Sequence, residues 1–275
     1  MQIPEAVRRA ALFPNCDVPT WPPEHPTRRV SVEGVFVRLP AGLPLASVSP
    51  ERIDESRVEH VVQEVRQFLS AEGREIGVWV VPEAVSPSDL AERLQTLGMR
   101  PSDLPGVEPR GAAMVAVQAP PPRPTDVVVR RAASFQEFLA AQRVVSDALE
   151  LNETLRRAFE QRAERLWSVE SADGPDATFV ALLDGEVVAM AVASFGNTVL
   201  HLGGSGTRPD RRGRGAYTAL VRARWDAAVE RGTPALTVAA GSMSRPILEH
   251  LGFSIVGWGD CLLDDVVRAS EPDTY

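Results

Sequence analysis

The sequence predicts a mixed α/β fold: a mostly antiparallel sheet flanked by helices, preceded by a smaller N-terminal α/β lobe. Three observations carry this. Short apolar runs of strand length alternate with amphipathic runs of helical period in both halves of the chain. "LLDGEVV" sets Asp184-Gly185, a hairpin dipeptide, between two strand-like runs. A glycine-containing bend, "RRGRGAY", then leads from a third such run into a long helical one.

The elements follow in order. Residues 13–50 are proline-rich and irregular apart from one strand-like run, "VEGVFVRLP" (32–40). "SRVEHVVQEVRQFLSAEG" places Val58, Val61, Val62, Val65, Phe68 and Leu69 at helical spacing, with Gly73 as the stop. "IGVWVVP" (76–82) reads as a buried strand, "SPSDLAERLQTLGM" (86–99) as a helix with a Ser or Asp cap, and "GAAMVAVQA" (111–119) as a strand. "PPPRP" (120–124) is a linker, because consecutive prolines neither continue a helix nor donate to a sheet.

Beyond it come a strand at "DVVVRRA", two helices capped by Ser134 and Asn152, and three strands within 178–206. After the glycine bend, a helix runs to about Gly232. "ALTVAA" (235–240) is a strand, "SRPILEHLGF" a short helix, and "SIVGWGDCLLDDV" a last strand in which Gly257 and Gly259 suggest a bulge. The expected division is an N-terminal lobe at 1–119, a linker at 120–125 and a second domain at 126–275. Residues 57–99 and 217–253 share the order helix, glycine, strand, helix, "LG": either the first lobe is a degenerate half-copy of the second, or the likeness is that of any helix–strand–helix unit.

Composition narrows the function. The 275 residues are 44% hydrophobic and 24% charged, enough for a sizeable core. The net charge of −8 argues against nucleic acid as a partner, which needs a basic face. No apolar run reaches the roughly 20 residues that cross a bilayer, and the N-terminus has no secretion-signal pattern, so no membrane partner is expected. Two distant cysteines, Cys16 and Cys261, make no disulfide framework, which fits a reducing, cytoplasmic setting. The four His and two Cys have no metal-ligand spacing, so no metal is expected. All 29 basic residues are arginine.

Against this acidic background, "TRPDRRGRGAYTALV" (207–221) gathers Arg208, Arg211, Arg212 and Arg214 around Gly213 and Gly215. A bend that opens a helix presents free N–H groups and the positive end of the helix dipole. Glycine lets a ligand approach the backbone closely, and guanidinium groups add bidentate donors. Phosphate or pyrophosphate suits such a geometry; the plain alternative is a solvated basic loop. No Lys-Ser/Thr follows the glycines, which excludes a nucleoside-triphosphate P-loop. The next strand ends "VAAGS" without the acidic residue of a dinucleotide fold.

Together with "SRPILEHLGF" about 30 residues later, this stretch resembles the GCN5-related N-acetyltransferase family. The family motif Arg/Gln-x-x-Gly-x-Gly/Ala falls on Arg212, Gly213, Arg214, Gly215, Ala216 and Tyr217, and the element order from 126 to about 265 is similar to the family's. The resemblance implies an acyl-CoA N-acyltransferase type of fold and acetyl-CoA as cosubstrate. It also implies that the turn's backbone amides hold the pyrophosphate, and that the backbone of Ser205, Gly206 and Thr207 pairs with the pantetheine arm. The implied reaction is direct attack of an amine, on a small molecule or a peptide, on the thioester. Two positions depart from the family. Tyr217 replaces the last Gly/Ala, and Leu248 stands where a tyrosine often protonates the departing thiolate.

An amine arrives as ammonium and must lose a proton. His201, alternating with Leu200 and Leu202, is a catalytic or relay candidate; its alternative is a structural histidine. Ser244, heading the helix of Leu248, is a proton-relay candidate or a helix cap. Cys261 reads as core. The Arg-rich run 155–167 lies where this family shapes its acceptor pocket, and otherwise reads as a solvated face. The rival to catalysis is an acyl-CoA-binding regulatory protein. A nucleotide-phosphate binder is a third reading. Acceptor and oligomeric state carry no motif.

Overall fold

The computed structural model describes residues 2–18, 21, 23–123, 125–170 and 174–266. The chain divides into two compact units, residues 1–25 with 112–256 and residues 26–111 with 257–275.

The second of these opens with β1 (Thr27–Val32) and β2 (Val35–Pro40), an antiparallel hairpin turned by Glu33 and Gly34, both at positive φ. β3 (Leu45–Ser49) adds antiparallel to β2. α2 (Val58–Ala71) then crosses to β4 (Ile76–Pro82), which pairs parallel with β3. α3 (Leu90–Thr96) and β5 (Arg100–Pro101) follow. The sheet order is β1-β2-β3-β4-β12, where residues 259–265 of β12 (Ser254–Asp265) pair antiparallel with β4 in unbroken register. Val61, Val65, Leu69 and Trp79 form the dry interface between α2 and this sheet. The sequence pattern predicts only one strand before residue 50, where three form. "TRRVSV" and "LASVS" alternate too weakly to be seen, and their partners lie in other strands.

The other unit begins with α1 (Glu5–Leu12), whose Val7 and Ala10 pack on Val115, Val199 and Ala235. Its sheet order is β6 (Arg110–Ala116), β11 (Leu236–Ala240), β10 (Leu200–Thr207), β9 (Glu186–Phe195), β8 (Asp176–Leu183) and β7 (Val128–Arg131). β7 to β10 are antiparallel, β10 and β11 are parallel, and β11 pairs antiparallel with β6. α4 (Phe135–Ala148) and α5 (Glu153–Ser168) connect β7 to β8; α6 (Ala216–Glu230) and α7 (Arg245–His250) flank β11. The caps expected at Ser134 and Asn152 form, whereas Asp89 before α3 makes no side-chain cap hydrogen bond. Ser134 accepts from the Glu137 N–H at 3.3 Å, and the Glu137 carboxylate returns to the Ala133 N–H at 2.9 Å. Asn152 accepts from the Leu155 N–H at 2.9 Å. Asp184 and Gly185 make the expected turn, both at positive φ.

Each unit thus holds an open sheet with a parallel crossover followed by a short helix: β3–α2–β4–α3 and β10–α6–β11–α7. The division differs from the linear one expected at 120–125. β6 precedes the proline run, yet residues 112–116 pair with β11; residues 259–265 of β12, far beyond that run, lie beside β4. Hydrogen bonding across strands, which sequence adjacency does not reveal, assigns both. Of the expected linker, Pro124 lies outside the described residues, as do residues 267–275 of the expected second domain.

Candidate functional site

β10 and β11 stay side by side for two residues, Leu200 opposite Leu236 and His201 opposite Thr237. β10 then runs on to Thr207 and β11 to Ala240 without pairing to each other. Beyond His201 and Thr237 the facing edges of the two strands are therefore unpaired with each other, and a backbone edge requires some partner. Just past this point the β9–β10 register slips between Leu202 and Ser205, a bulge that sets Gly203 and Gly204 against Val192. A Cβ on Gly203 would meet the Val192 Cβ at 3.1 Å, and one on Gly206 would meet the Ala148 Cβ at 3.0 Å. The parallel step β3–β4 offers a contrast. It pairs over Leu45–Val48, nearly all of β3, and leaves no such gap.

From Thr207 the chain passes through a 3-10 turn at Pro209–Arg211 into the glycine bend. Gly213 has φ 79° and Gly215 φ 80°, values that cost an L-residue about 1–2 kcal/mol. Gly215 is the helix N-cap and provides no side-chain acceptor. The first helical N–H to find a partner is that of Ala219, at 2.9 Å from the Gly215 carbonyl. The N–H groups of Ala216, Tyr217 and Thr218 precede it, and no acidic side chain occupies the first turn. α2 is instead entered through a 3-10 turn at Glu55–Arg57, and the carboxylate of Asp54 caps that turn, accepting from the Ser56 N–H and hydroxyl at 2.9 and 2.6 Å.

The arginines are not equivalent. Arg208 pairs with Glu186 at 2.7 Å and with Asp210 at 3.0 Å, Arg211 approaches the same two carboxylates, and Arg214 pairs with Asp126. Arg212 alone of the four has no side-chain partner among the described residues. The proline-rich segment braces the bend: the Thr125 hydroxyl donates to the Arg214 carbonyl at 3.0 Å, and Arg222 of α6 donates to the Pro120 carbonyl at 3.1 Å. Of the residues expected to contact the cofactor, Ser205, Gly206 and Thr207 lie on the length of β10 that pairs with β9 but not with β11. Arg212, Gly213, Arg214, Gly215, Ala216 and Tyr217 form the bend and the first helical turn.

His201 has both ring nitrogens engaged. Nδ1 meets the Thr237 hydroxyl at 2.7 Å and Nε2 meets the Asp17 carboxylate at 3.2 Å. Asp17 is 6% exposed and also accepts from the N–H groups of Thr198 and Val199 at 2.9 and 3.3 Å. Burial pushes its carboxyl up, but the hydrogen bonds from His201, Thr198 and Val199 outweigh this and hold it below the usual aspartate range. A Cβ on Gly196 would lie 1.9 Å from this carboxylate, so glycine is required for Asp17 to enter. The same N-terminal arm carries His25, 3.4 Å from Asp176.

Ser244 precedes α7 but caps nothing; its hydroxyl reaches only the Gly241 carbonyl, at 3.5 Å. The capping alternative fails because its αR backbone turns the hydroxyl away from the helix N–H groups. Leu248 is fully buried and Cys261 is core, its thiol pushed up to about 11 by burial. Asp17, Thr237, Thr125, Asp126 and Arg224 carry no signal of a site in the sequence. None lies in a local motif, and only the strand pairings bring them to the site.

The chain resembles known proteins in both sequence and fold. The model of the acetyltransferase (GNAT) family matches residues 145–253, from within α4 to the end of α7. A GCN5-related N-acetyltransferase from Kribbella flavida is similar over 94% of this chain and 95% of its own, with 20% identity and a TM-score of 0.65. One from Sphaerobacter thermophilus covers 84% of this chain and 76% of its own, at 17% identity and a TM-score of 0.57. A tandem GNAT protein from the clavulanic acid biosynthesis pathway covers 87% and 79%, at 17% identity and a TM-score of 0.56. At these identities the likeness is one of fold, and it is consistent with a half-repeat in the N-terminal part. A comparison with curated protein sequences finds no match. Residues 145–253 are a domain of the acetyltransferase (GNAT) family, and family and fold support an acyl-CoA N-acyltransferase.

Proposed function

We propose that this protein transfers an acetyl group from acetyl-CoA to an amine of a small molecule or a peptide. One observation carries the reading: the gap that opens beyond His201 and Thr237 leads along β10 directly to a helix opening with free N–H groups and an unpaired arginine. In this reading the N–H groups of Ala216, Tyr217 and Thr218, with Arg212, hold the pyrophosphate. The glycines at 213 and 215 keep side chains out of its way. The edge of Ser205, Gly206 and Thr207 that turns away from β9, left unpaired by β11, takes the amide-bearing arm. Arg208, Arg211 and Arg214 shape the bend through their carboxylate partners rather than meeting the ligand first.

The amine nitrogen attacks the thioester carbon, the C–S bond breaks, and CoA leaves as a thiolate that takes up a proton. A thiol with a reference pKa near 8.5 is a tolerable leaving group, so Leu248 in place of an acid costs only part of the rate. Positioning and main-chain donors at the carbonyl oxygen supply the rest. His201 serves this site by fixing its apex. With both nitrogens engaged, it would move a proton through the Thr237 hydroxyl rather than take one from the amine directly. Ser244 remains a relay only through water. Cys16 and Cys261 form no disulfide with each other, which accords with a reducing, cytoplasmic setting. Among the described residues no helix is long and apolar enough to cross a membrane.

A second reading, an acyl-CoA-binding regulatory protein, is favoured by the fully buried Leu248 and by the enclosed His201. Thiol release from acetyl-CoA across a panel of primary amines (an alkylamine, a polyamine, an amino sugar, a lysine peptide), beside a calorimetric titration with CoA, separates the two. Turnover with one class supports transfer; tight CoA binding with no turnover supports the binder. Absence of CoA binding, or tighter binding of ATP or NAD, ends both.

A further inference from the structure

The β10 bulge has a buried cation beneath it. Thr178 stands opposite Val192, but its backbone bonds go elsewhere: its N–H is taken by the Glu170 carboxylate and its carbonyl by the Ala132 N–H. The N–H and C=O of Val192 therefore face β10. There the register slips: between the pairs Leu202–Ala193 and Ser205–Ala191, β10 has two residues, Gly203 and Gly204, where β9 has only Val192. A bulge leaves ladder groups without their regular mates. Arg224 of α6 meets one of them, its Nη1 donating to the Val192 carbonyl at 3.1 Å while its Nε donates to the Leu220 carbonyl at 3.1 Å.

This arginine is out of the ordinary in three respects. It has no exposed surface and no carboxylate partner among the described residues. Its Nη2 is buried with no acceptor. Arginines are almost never fully buried unless paired, and an uncompensated charge in a core is costly. Burial pulls its pKa down to about 10. Tyr217, two helical turns earlier on the same face, interacts with it electrostatically, and burial raises the tyrosine's own phenol. The departure from the glycine motif at 217 and the buried arginine thus belong to one arrangement, reaching from the helix opening to the bulge.

We infer that Arg224 is a positioning residue: by gripping the Val192 carbonyl it keeps β10 bulged, so that the main-chain donors of residues 203–205 stand ready for the acyl carbonyl oxygen. The purpose rests on the acetyl-transfer reading, whereas the grip itself does not. Apolar replacement of a buried charge is often tolerated by the fold, so Arg224→Met is a usable probe.

The test compares wild type, R224M and R224K for acetyl-CoA turnover, CoA affinity by calorimetry and backbone amide exchange across residues 202–206. R224M is expected to bind CoA within about threefold of wild type. Its turnover should fall about 10- to 100-fold, the scale of a small misplacement, with faster exchange confined to the bulge. R224K, keeping the charge and one donor, should recover part of both. Unchanged exchange in R224M overturns the inference, as does a turnover loss that merely follows lost CoA affinity. Should wild type acetylate no amine, the transfer reading falls and exchange alone decides the grip. Should R224M not melt cooperatively, the exchange of R224K decides, and a wild-type pattern there overturns the inference.

Discussion

His201 and Thr237 are the last pair that holds β10 and β11 together, and their side chains are joined across that pair by a 2.7 Å hydrogen bond. Asp17 completes the chain from the other ring nitrogen. Three elements far apart in sequence therefore meet at the apex from which the strands part.

Asp17→Ala leaves the N–H groups of Thr198 and Val199 and one His201 nitrogen without their acceptor. A loss of about 1–3 kcal/mol is expected at pH 7. Because the folded carboxyl is held below its ordinary value, its contribution is complete above the unfolded range near pH 4 and is lost as pH falls through the lower folded value. Urea midpoints should show a large wild-type advantage at pH 7 that shrinks below pH 4. An advantage independent of pH would contradict the assignment.

Gly215→Ala asks a residue with a Cβ to hold φ 80° at the mouth of α6. A stability loss of about 1–2 kcal/mol is expected from the backbone alone. The nearest obstacle, the Thr125 hydroxyl at 3.5 Å, is an ordinary contact. CoA affinity should fall further than melting temperature accounts for, since the N–H groups of residues 216–218 are re-aimed. A calorimetric titration on the folded variant checks this.

The arginines should separate by their partners. Arg212→Gln removes the one cradle guanidinium without a carboxylate and should weaken CoA binding about tenfold or more. Arg208→Gln removes one already paired with Glu186 and Asp210 and should change it by less than about threefold. The R212Q deficit should narrow as salt rises. Equal losses in the two variants would show that the bend is read by total charge instead.

Leu248→Ala tests whether this position is core or site. Leu248 has no exposed surface, so the cavity should cost about 2–5 kcal/mol while the CoA affinity of the folded fraction stays unchanged. Turnover per folded molecule that drops about a hundredfold would place this side chain against the reacting atoms.

What could be read without tertiary structure was local. The helical period of 58–71, the Ser134 and Asn152 caps, the Asp184-Gly185 turn and the glycine bend all depend on residues within a few positions of each other. They formed where the sequence put them. The open N–H groups and positive φ of the bend, on which the proposed anion site rests, are of the same kind, because both are properties of a few consecutive residues.

The rest depended on pairing across long separations. Asp17 meets His201 from 184 positions away, and Asp126 meets Arg214 from 88. β6 joins β11 and residues 259–265 of β12 join β4, so the units interleave what a linear division would separate. Which arginine stays free, and which carbonyl Arg224 grips, follows from where strands and helices stack. Hydrogen bonds and ion pairs of this range leave no periodic trace in sequence, since they are chosen by the register of a sheet assembled from distant segments.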